Sequence, residues 1–176
     1  MKKYMVITAT GPDRPGIVDQ ITEVLLEYGA NVEESRMARL GGEFTVIMLA
    51  SVSGEKASGL QRGLAQLGHK SLTIATKMTD VAPGRFKGYI PYELFVSGAD
   101  HEGIIHSVAH FLSEQGINVE TLESDVVNAP VSGTALFSMH AMIQVPPTTS
   151  LSDLREKLAE IGDSVGVDIE VKVPLR

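Results

Sequence analysis

The chain alternates between short apolar runs and stretches in which apolar residues recur every three or four positions. Residues 4–10 and 92–97 are apolar and rich in β-branched side chains, which predicts two buried strands. A turn containing Gly and Asp follows each run, and an amphipathic helix follows each turn. The predicted helical positions are Ile17, Ile21, Val24, Leu25 and Tyr28 in the first half and Ile104, Val108, Phe111, Leu112 and Gln115 in the second. Gly29 and Gly116 come next, where a helix typically ends in a left-handed residue.

The same signals continue to the end of each half. The remaining predicted strands are residues 31–40, 44–52, 71–79 and 167–173, and further helical spacing begins at Ala57 and at Leu151. Gly41 and Gly42 predict a hairpin turn between two of these strands. Ser150 and Asp153 predict a capping box at the start of the last helix.

The chain contains an internal repeat. The matched segments are 11–18 with 98–105 and 29–33 with 116–120, both at an offset of 87, and 44–52 with 137–145 at an offset of 93. The second copy therefore holds six extra residues, placed at 128–133. Such self-similarity predicts two copies of one structural unit.

Each copy has the element order βαββαβ. Right-handed crossovers turn this order into a four-stranded antiparallel sheet with both helices on one face, the ferredoxin-like arrangement of the α+β class. We expect a first domain at residues 1–80, a polar linker at 81–90 and a second domain at 91–176.

Composition and charge narrow the function. The 176 residues carry a net charge of −7, of which residues 1–84 contribute zero, and aromatic residues make up 5% with no Trp. Neither half offers the basic field or the stacking surface that nucleic acids need, so we expect no direct nucleic-acid binding. With no Cys, disulfides, thiolate catalysis and Cys-based metal sites are excluded. No leader or membrane-spanning run is evident, and we expect a cytoplasmic protein that does not contact membranes.

The first turn, residues 11–16, carries most of the candidate chemistry. Gly11 and Gly16 permit positive φ, and Pro15 suits the first helical position. Amide N–H groups at a helix N-terminus favour an anion such as a carboxylate, and Asp13 can accept an ammonium group. The turn therefore suits a free α-amino acid. The alternative is that Asp13 merely caps the helix.

Asn31 and Asn118 directly follow the helix-ending glycines. An Asn in this place can serve the turn through a local backbone hydrogen bond. Its amide can also bind both charged groups of a zwitterion, because the oxygen accepts a hydrogen bond from the ammonium group and the nitrogen donates one to the carboxylate. The recurrence of Asn in both copies adds weight to the second interpretation.

The stretches 11–18 and 29–32 resemble the opening of an ACT domain, a small βαββαβ regulatory module that binds amino acids. The resemblance spans nearly the whole chain, because the second copy matches at Gly98, Asp100, Gly103, Gly116 and Asn118. Two such units with a Gly-Pro-Asp-Arg-Pro-Gly start resemble the glycine cleavage system transcriptional repressor family. The resemblance implies ligand-binding residues in both copies: Gly11, Pro12, Asp13, Gly16 and Asn31, then Gly98, Asp100 and Asn118. In the second copy Ala99, His101 and Glu102 replace Pro12, Arg14 and Pro15, so the first turn is the preferred site.

We therefore expect a non-enzymatic regulator that binds a small amino acid, with glycine as a candidate, and that forms a homodimer. The resemblance implies contact with another protein, such as a DNA-binding transcription factor. The alternative is a regulatory subunit of an amino-acid biosynthetic enzyme. A third hypothesis, a metalloenzyme using His106 and His110 on one helix face, lacks further ligands at a metal-site spacing. No catalytic residue, metal or cofactor is predicted.

Overall fold

The chain folds into two compact units, Met1–Pro83 and Gly84–Arg176, in a computed structural model that describes residues 1–68, 72–80 and 88–174. The first unit contains β1 (Lys2–Pro12), α1 (Ile17–Glu27), β2 (Asn31–Leu40), β3 (Glu43–Ser53), α2 (Ala57–Leu67) and β4 (Thr73–Thr79). The second contains β5 (Ile90–Ala99), α3 (Ile104–Glu114), β6 (Asn118–Asn128), β7 (Ala135–Val145), α4 (Leu151–Val165) and β8 (Val167–Lys172). The predicted order of elements is confirmed in both copies.

Each unit has one four-stranded antiparallel sheet. The strand orders are β2-β3-β1-β4 and β6-β7-β5-β8, which is the predicted ferredoxin-like topology. The long central strands pair over most of their length, so Lys2 lies opposite Ser53 and Pro12 opposite Glu43. The predicted linker at 81–90 falls largely on residues 81–87, outside the described residues, so its boundaries stay a prediction. Ser71 of the predicted fourth strand also lies outside them.

Alternation along the central strands places the core on one side of each sheet. In β3 the side chains of Phe44, Val46, Met48 and Ala50 are buried, whereas Ile47 between them is half exposed. The buried strand residues pack against the apolar faces of the two helices in the same unit, so each unit has its own core. Period-two burial of this kind is expected where helices cover only one face of a sheet.

The turns follow the glycine positions. Gly41 and Gly42 have φ of 58° and 85°, as a two-residue turn between antiparallel strands requires, and Gly29 and Gly116 end their helices at φ of 63° and 66°. The extra residues of the second copy lengthen the equivalent hairpin, where the N–H of Ala129 donates to the Thr134 carbonyl at 2.8 Å. Both features confirm the sequence prediction.

The start of α4 shows half of the predicted capping box. The Ser150 hydroxyl accepts a hydrogen bond from the Asp153 N–H at 3.5 Å. The Asp153 carboxylate accepts from the Ser152 hydroxyl at 3.4 Å. Within the described residues, no helix is long and apolar enough to cross a lipid bilayer.

The end of α4 depends on a close backbone approach. The chain turns back at Gly166, whose φ is 67°. The carbonyl oxygen of Val167 then lies over Gly162, much closer than van der Waals contact to the place where a Cβ atom would stand. That oxygen belongs to the backbone at the start of β8 and cannot move aside as a side chain would. Gly162 is therefore required by packing, although it lies inside a helix.

Replacing Gly162 with Ala should lower the stability of the chain. Ala is normally better than Gly inside a helix by about 1 kcal/mol, but the overlap with the Val167 carbonyl should outweigh this gain and cost about 1–3 kcal/mol in total. Urea unfolding monitored by circular dichroism measures the change. Asp163→Ala, at the next position of the same helix, is the control and should stay within about 0.5 kcal/mol of the natural protein. Unchanged or increased stability of the Gly162 variant would contradict this account.

Candidate functional site

The strand β1 continues two residues further than predicted, through Gly11 and Pro12, so the first turn begins at Asp13. Gly11 is a buried residue of β1 that lies opposite Phe44, and it does not adopt the positive φ that its residue type permits. Gly16 does adopt φ of 89° and is the N-cap of α1. The helix starts at Ile17, so Pro15 precedes the cap and does not occupy the first helical position. The helix therefore begins after a left-handed residue, a conformation that Gly adopts easily, and not at Pro15.

The N-cap of α1 is Gly16, which has no side chain, and among the described residues no side chain accepts a hydrogen bond from the N–H groups that start the helix. The alternative role predicted for Asp13, helix capping, is therefore wrong. The first N–H groups of a helix have no partner inside the helix, and their dipoles favour an anion. The positive end of α1 thus remains available to a ligand carboxylate or to water.

The amide groups of the turn itself are fewer than predicted. Pro12 and Pro15 have no N–H, and the N–H of Asp13 donates to the Gly42 carbonyl at 2.9 Å. That bond ties the turn to the neighbouring β2–β3 hairpin. The donors available to an anion are consequently those of the helix start and not a complete ring.

The Asp13 carboxylate faces a cation that sequence reasoning missed. Its Oδ2 lies 3.6 Å from Nη1 of Arg39, and the two side chains are 34% and 73% exposed. Arg39 lies near the end of β2 opposite Phe44, and Phe44 also lies opposite Gly11. The Gly41-Gly42 turn fixes which residues of the hairpin lie opposite each other. Counting outward from this turn along the sequence predicts that Arg39 lies opposite Phe44.

Asn31 lies at the other end of the same sheet. It is the first residue of β2 and lies opposite Ser51, whereas Gly11 lies opposite Phe44, seven residues away along β3. At about 3.3 Å per residue the two positions are roughly 23 Å apart. Asn31 and the first turn of one unit therefore do not form a single pocket for a small ligand.

Asn31 takes part in a polar cluster around Glu33. Oε1 of Glu33 accepts hydrogen bonds from Nζ of Lys2 at 2.8 Å, from the Ser51 hydroxyl at 2.5 Å and from Nδ2 of Asn31 at 3.5 Å. These bonds, that of Lys2 first, lower the pKa of Glu33 to about 2. Asn31 thus binds a side chain, and its predicted hydrogen bond to the local backbone is not the one the structure shows.

The second turn repeats this geometry. Gly103 is the N-cap of α3 with φ of 95° and no side-chain cap, and the N–H of Asp100 donates to the Ala135 carbonyl at 2.9 Å. Gly98 is a residue of β5, where an added Cβ would approach Cγ1 of Val167 to 2.8 Å, so packing against β8 explains this glycine. Asn118 begins β6 opposite Gln144, at the far end of the sheet from the turn.

His101 ties the second turn to the end of α4. Its Nδ1 lies 2.9 Å from the Glu102 carbonyl oxygen and its Nε2 lies 2.5 Å from the Val165 carbonyl oxygen. Both carbonyls only accept, so both ring nitrogens donate when the ring is protonated, and these contacts raise the pKa of His101. Arg14 holds the equivalent position in the first turn and donates to Oε1 of Gln20 at 3.0 Å. The two turns are therefore fastened by different side chains.

An open groove runs between α1 and the start of β2. It is lined by Thr22, Leu25, Leu26 and Val32 together with Asp19, Glu23 and Ala30. None of the predicted ligand-binding residues lines it. Within the described residues no group of three or more His, Cys, Asp or Glu side chains is arranged to hold a metal ion, and the rings of His106 and His110 stack on each other at 5.9 Å.

The comparisons with known proteins agree with the fold. Residues 3–79 match the ACT domain. An 81-residue segment is 46% identical to the glycine cleavage system transcriptional repressor of Escherichia coli, covering 46% of this chain and 43% of the repressor. The match thus spans less than half of the repressor's length.

Two solved structures align with nearly the whole chain. An unknown protein from Galdieria sulphuraria is 32% identical, with a TM-score of 0.85 over 99% of this chain and 100% of that one. A candidate glycine cleavage system transcriptional repressor is 24% identical, with a TM-score of 0.71 over 98% and 97% of the two chains, and this likeness concerns the fold. The chain contains an ACT domain over residues 3–79. It carries two tandem units of that fold and resembles the glycine cleavage repressors.

Replacing His101 with Gln should destabilise the second unit in acid more than in base. Because the folded-state pKa is raised above the usual 6.5, the stabilisation is complete below that value and is lost as the pH rises through the folded-state pKa. Thermal unfolding of the natural and variant chains at about pH 5.5 and about pH 8.5 measures the difference. His106→Gln, on the exposed face of α3, is the control. An equal loss at both pH values would show that protonation of His101 has no part in holding the turn.

Replacing Glu33 with Gln should have the opposite pH dependence. The folded-state pKa of about 2 lies below the usual 4.5, so the carboxylate stabilises the fold above pH 4.5 and loses that effect as the pH falls towards 2. The two chains should therefore differ in unfolding midpoint near neutral pH and converge in acid. Glu120→Gln, at the equivalent place in the second unit, is the matched control. Proton titration of Glu33 by NMR gives the pKa directly, and a value near 4.5 would refute the cluster's effect.

Proposed function

We propose that this protein is a non-enzymatic regulator that senses a small free amino acid, with glycine as the candidate ligand. The match of residues 3–79 to the ACT domain and the 46% identity of an 81-residue segment to a transcriptional repressor support a regulatory role. The proposal does not depend on a catalytic centre. Its output is contact with another protein, for which a DNA-binding transcription factor is the candidate.

The observation that carries the proposal is the uncapped start of α1 next to the Asp13 turn. A zwitterion needs a donor group for its carboxylate and an acceptor for its ammonium. The N–H groups of the helix start supply the donors, and the Asp13 carboxylate supplies the acceptor. Arg39, at 3.6 Å from Asp13, competes with the ammonium group and can itself pair with the ligand carboxylate.

The proposed site includes Gly11, Pro12, Asp13 and Gly16 of the first turn. Asn31 lies outside this pocket in one copy of the chain, because Asn31 and the first turn occupy opposite ends of one sheet. The same reasoning applies to Gly98, Asp100 and Asn118 in the second unit. The proposal also includes a homodimer, which the half-exposed Ile47 in the middle of the first sheet supports.

Regulation requires the ligand to bind one state of the assembly better than another. A ligand with equal affinity for both states shifts nothing, and a tenfold preference corresponds to about 1.4 kcal/mol. In this chain the contact between Asp13 and Arg39 can produce such a preference. A ligand that draws Asp13 away from Arg39 changes the contacts of the β2–β3 hairpin, which Asp13 also holds through Gly42.

A thermal-shift screen of the full chain against free amino acids tests the proposal. At least one small amino acid should raise the unfolding midpoint, since ligand at 100 times its dissociation constant adds about 2.7 kcal/mol to stability. Asp13→Asn should abolish the shift because it removes the charge that pairs with the ammonium group. Acetate and methylamine, which each carry one half of the glycine zwitterion, should have no effect.

Asp100→Asn, the equivalent change in the second turn, is the matched control and shows whether both turns bind. A full shift in the Asp13 variant would refute the assignment of the first turn, and no shift with any amino acid would refute the sensing role. Co-purification with an enzyme of amino-acid biosynthesis, and not with a transcription factor, would refute the proposed output.

A further inference from the structure

The two sheets differ on the faces that their helices leave open. In β3 the residues Thr45, Ile47 and Leu49 point away from the buried Val46 and Met48, and Ile47 is 50% exposed. An open apolar position in the middle of a sheet is a place where another surface can pack. We call the helix-free side of the sheet in each unit the first and the second open face.

The strand register arranges the first open face in rows across the sheet. Glu34, Leu49, Val6 and Lys77 form one row, in the order of strands β2, β3, β1 and β4. The row therefore has an anion at one edge, two apolar residues in the middle and a cation at the other edge. The next row is Arg36, Ile47, Thr8 and Ala75.

We propose that the first open face is the homodimer interface, packed against the same face of a second copy about a two-fold axis parallel to the strands. This inference rests on the proposed homodimer and specifies its surface. The rotation lays β2 of one copy over β4 of the other and β3 over β1. Lys77 then faces the partner's Glu34, and Val6 faces the partner's Leu49. A contact of this kind is self-complementary, as a two-fold interface must be, and sheets packed face to face keep their strands within about 30°.

The ammonium group of Lys77 is available to pair with a carboxylate of a second copy. Glu34 already pairs with Arg36 at 2.9 Å, but both side chains are more than 60% exposed and can take a further partner. Among the described residues no ion pair is formed by Lys77. The partner's Glu34 would supply the missing countercharge at the edge of an apolar contact.

The second open face excludes the same arrangement. The row equivalent to Glu34, Leu49, Val6 and Lys77 is Thr121, Met142, Glu93 and Lys172, so the rotation would set Lys172 against Thr121 of another copy and the acidic Glu93 against Met142. The row equivalent to Arg36, Ile47, Thr8 and Ala75 is Glu123, His140, Phe95 and Glu170, and the rotation would set Glu123 against Glu170 of another copy. Like charges brought together in this way oppose association. The aromatic surface in the middle is already used within the sheet, since Phe95 stacks on His140 at 4.6 Å and Nζ of Lys172 lies 4.9 Å from the Phe95 ring centre. Of the two open faces formed by the described residues, the first is therefore the one suited to self-association.

Sedimentation velocity of the full chain, without ligand, tests the interface. The natural chain should be a dimer, and Ile47→Asp should weaken dimerisation roughly tenfold or more by burying an unpaired charge in the contact. His140→Asp, at the equivalent position of the second open face, is the matched control and should leave the dimer unchanged. Ile47 is half exposed, so circular dichroism should show both variants folded.

A charge exchange across the row provides a second test that does not depend on a buried charge. Lys77→Glu and Glu34→Lys should each weaken the dimer, and the double variant should dimerise more tightly than either single one, because the exchange restores opposite charges across the axis. Lys172→Glu in the second unit is the control.

Three results would overturn the inference: a monomeric natural chain, equal effects of the Ile47 and His140 variants, or no recovery in the double variant. A monomeric chain would also refute the proposed homodimer. If the chain is a dimer and Ile47→Asp does not weaken it, the homodimer is retained but its interface lies on another surface. The amino-acid shift assay is independent of all three, so failure of the sensing role remains distinguishable.

Discussion

The antiparallel pairing of β1 with β3 is the constraint on which the rest of the first unit depends. It sets Lys2 opposite Ser53 and Gly11 opposite Phe44, and since β3 also pairs with β2, it fixes both ends of the hairpin. A shift of one residue would turn every buried side chain of β1 to the open face. The same register places Arg39 beside Asp13 and moves Asn31 to the far end of the sheet, so it decides which polar groups meet.

The second unit keeps this backbone plan and changes its surface. Both turns begin with an uncapped helix and an Asp whose N–H binds the adjacent hairpin. Arg14 fastens the first turn with a permanent charge, and His101 fastens the second with a charge that depends on pH. The repeated features are those that packing requires, and the differing ones face solvent. The two copies therefore share one backbone plan and differ in the side chains available for binding, and the proposed ligand site and interface both lie in the first unit.

Much of this architecture can be predicted from local patterns in the amino-acid sequence. The repeat, the order of the elements, the hairpin glycines and the left-handed helix ends at Gly29 and Gly116 all follow from periodicity and from the backbone freedom of glycine. The first turn was also located correctly, but its details were not. As residue types, Pro15 is typical of a helix start and Gly11 of a turn. The strand nevertheless continues through Gly11, because Phe44 lies opposite it and pairs with it across the sheet.

The amino-acid sequence alone was enough to establish two βαββαβ units and the residue types gathered around each turn, because these depend on neighbours within a few positions. The pairing of Asp13 with Arg39, the contact of His101 with Val165 and the separation of Asn31 from the turn needed the folded chain. Each joins residues that are far apart along the chain, and strand register, which is set by packing of the whole core, brings them together or keeps them apart.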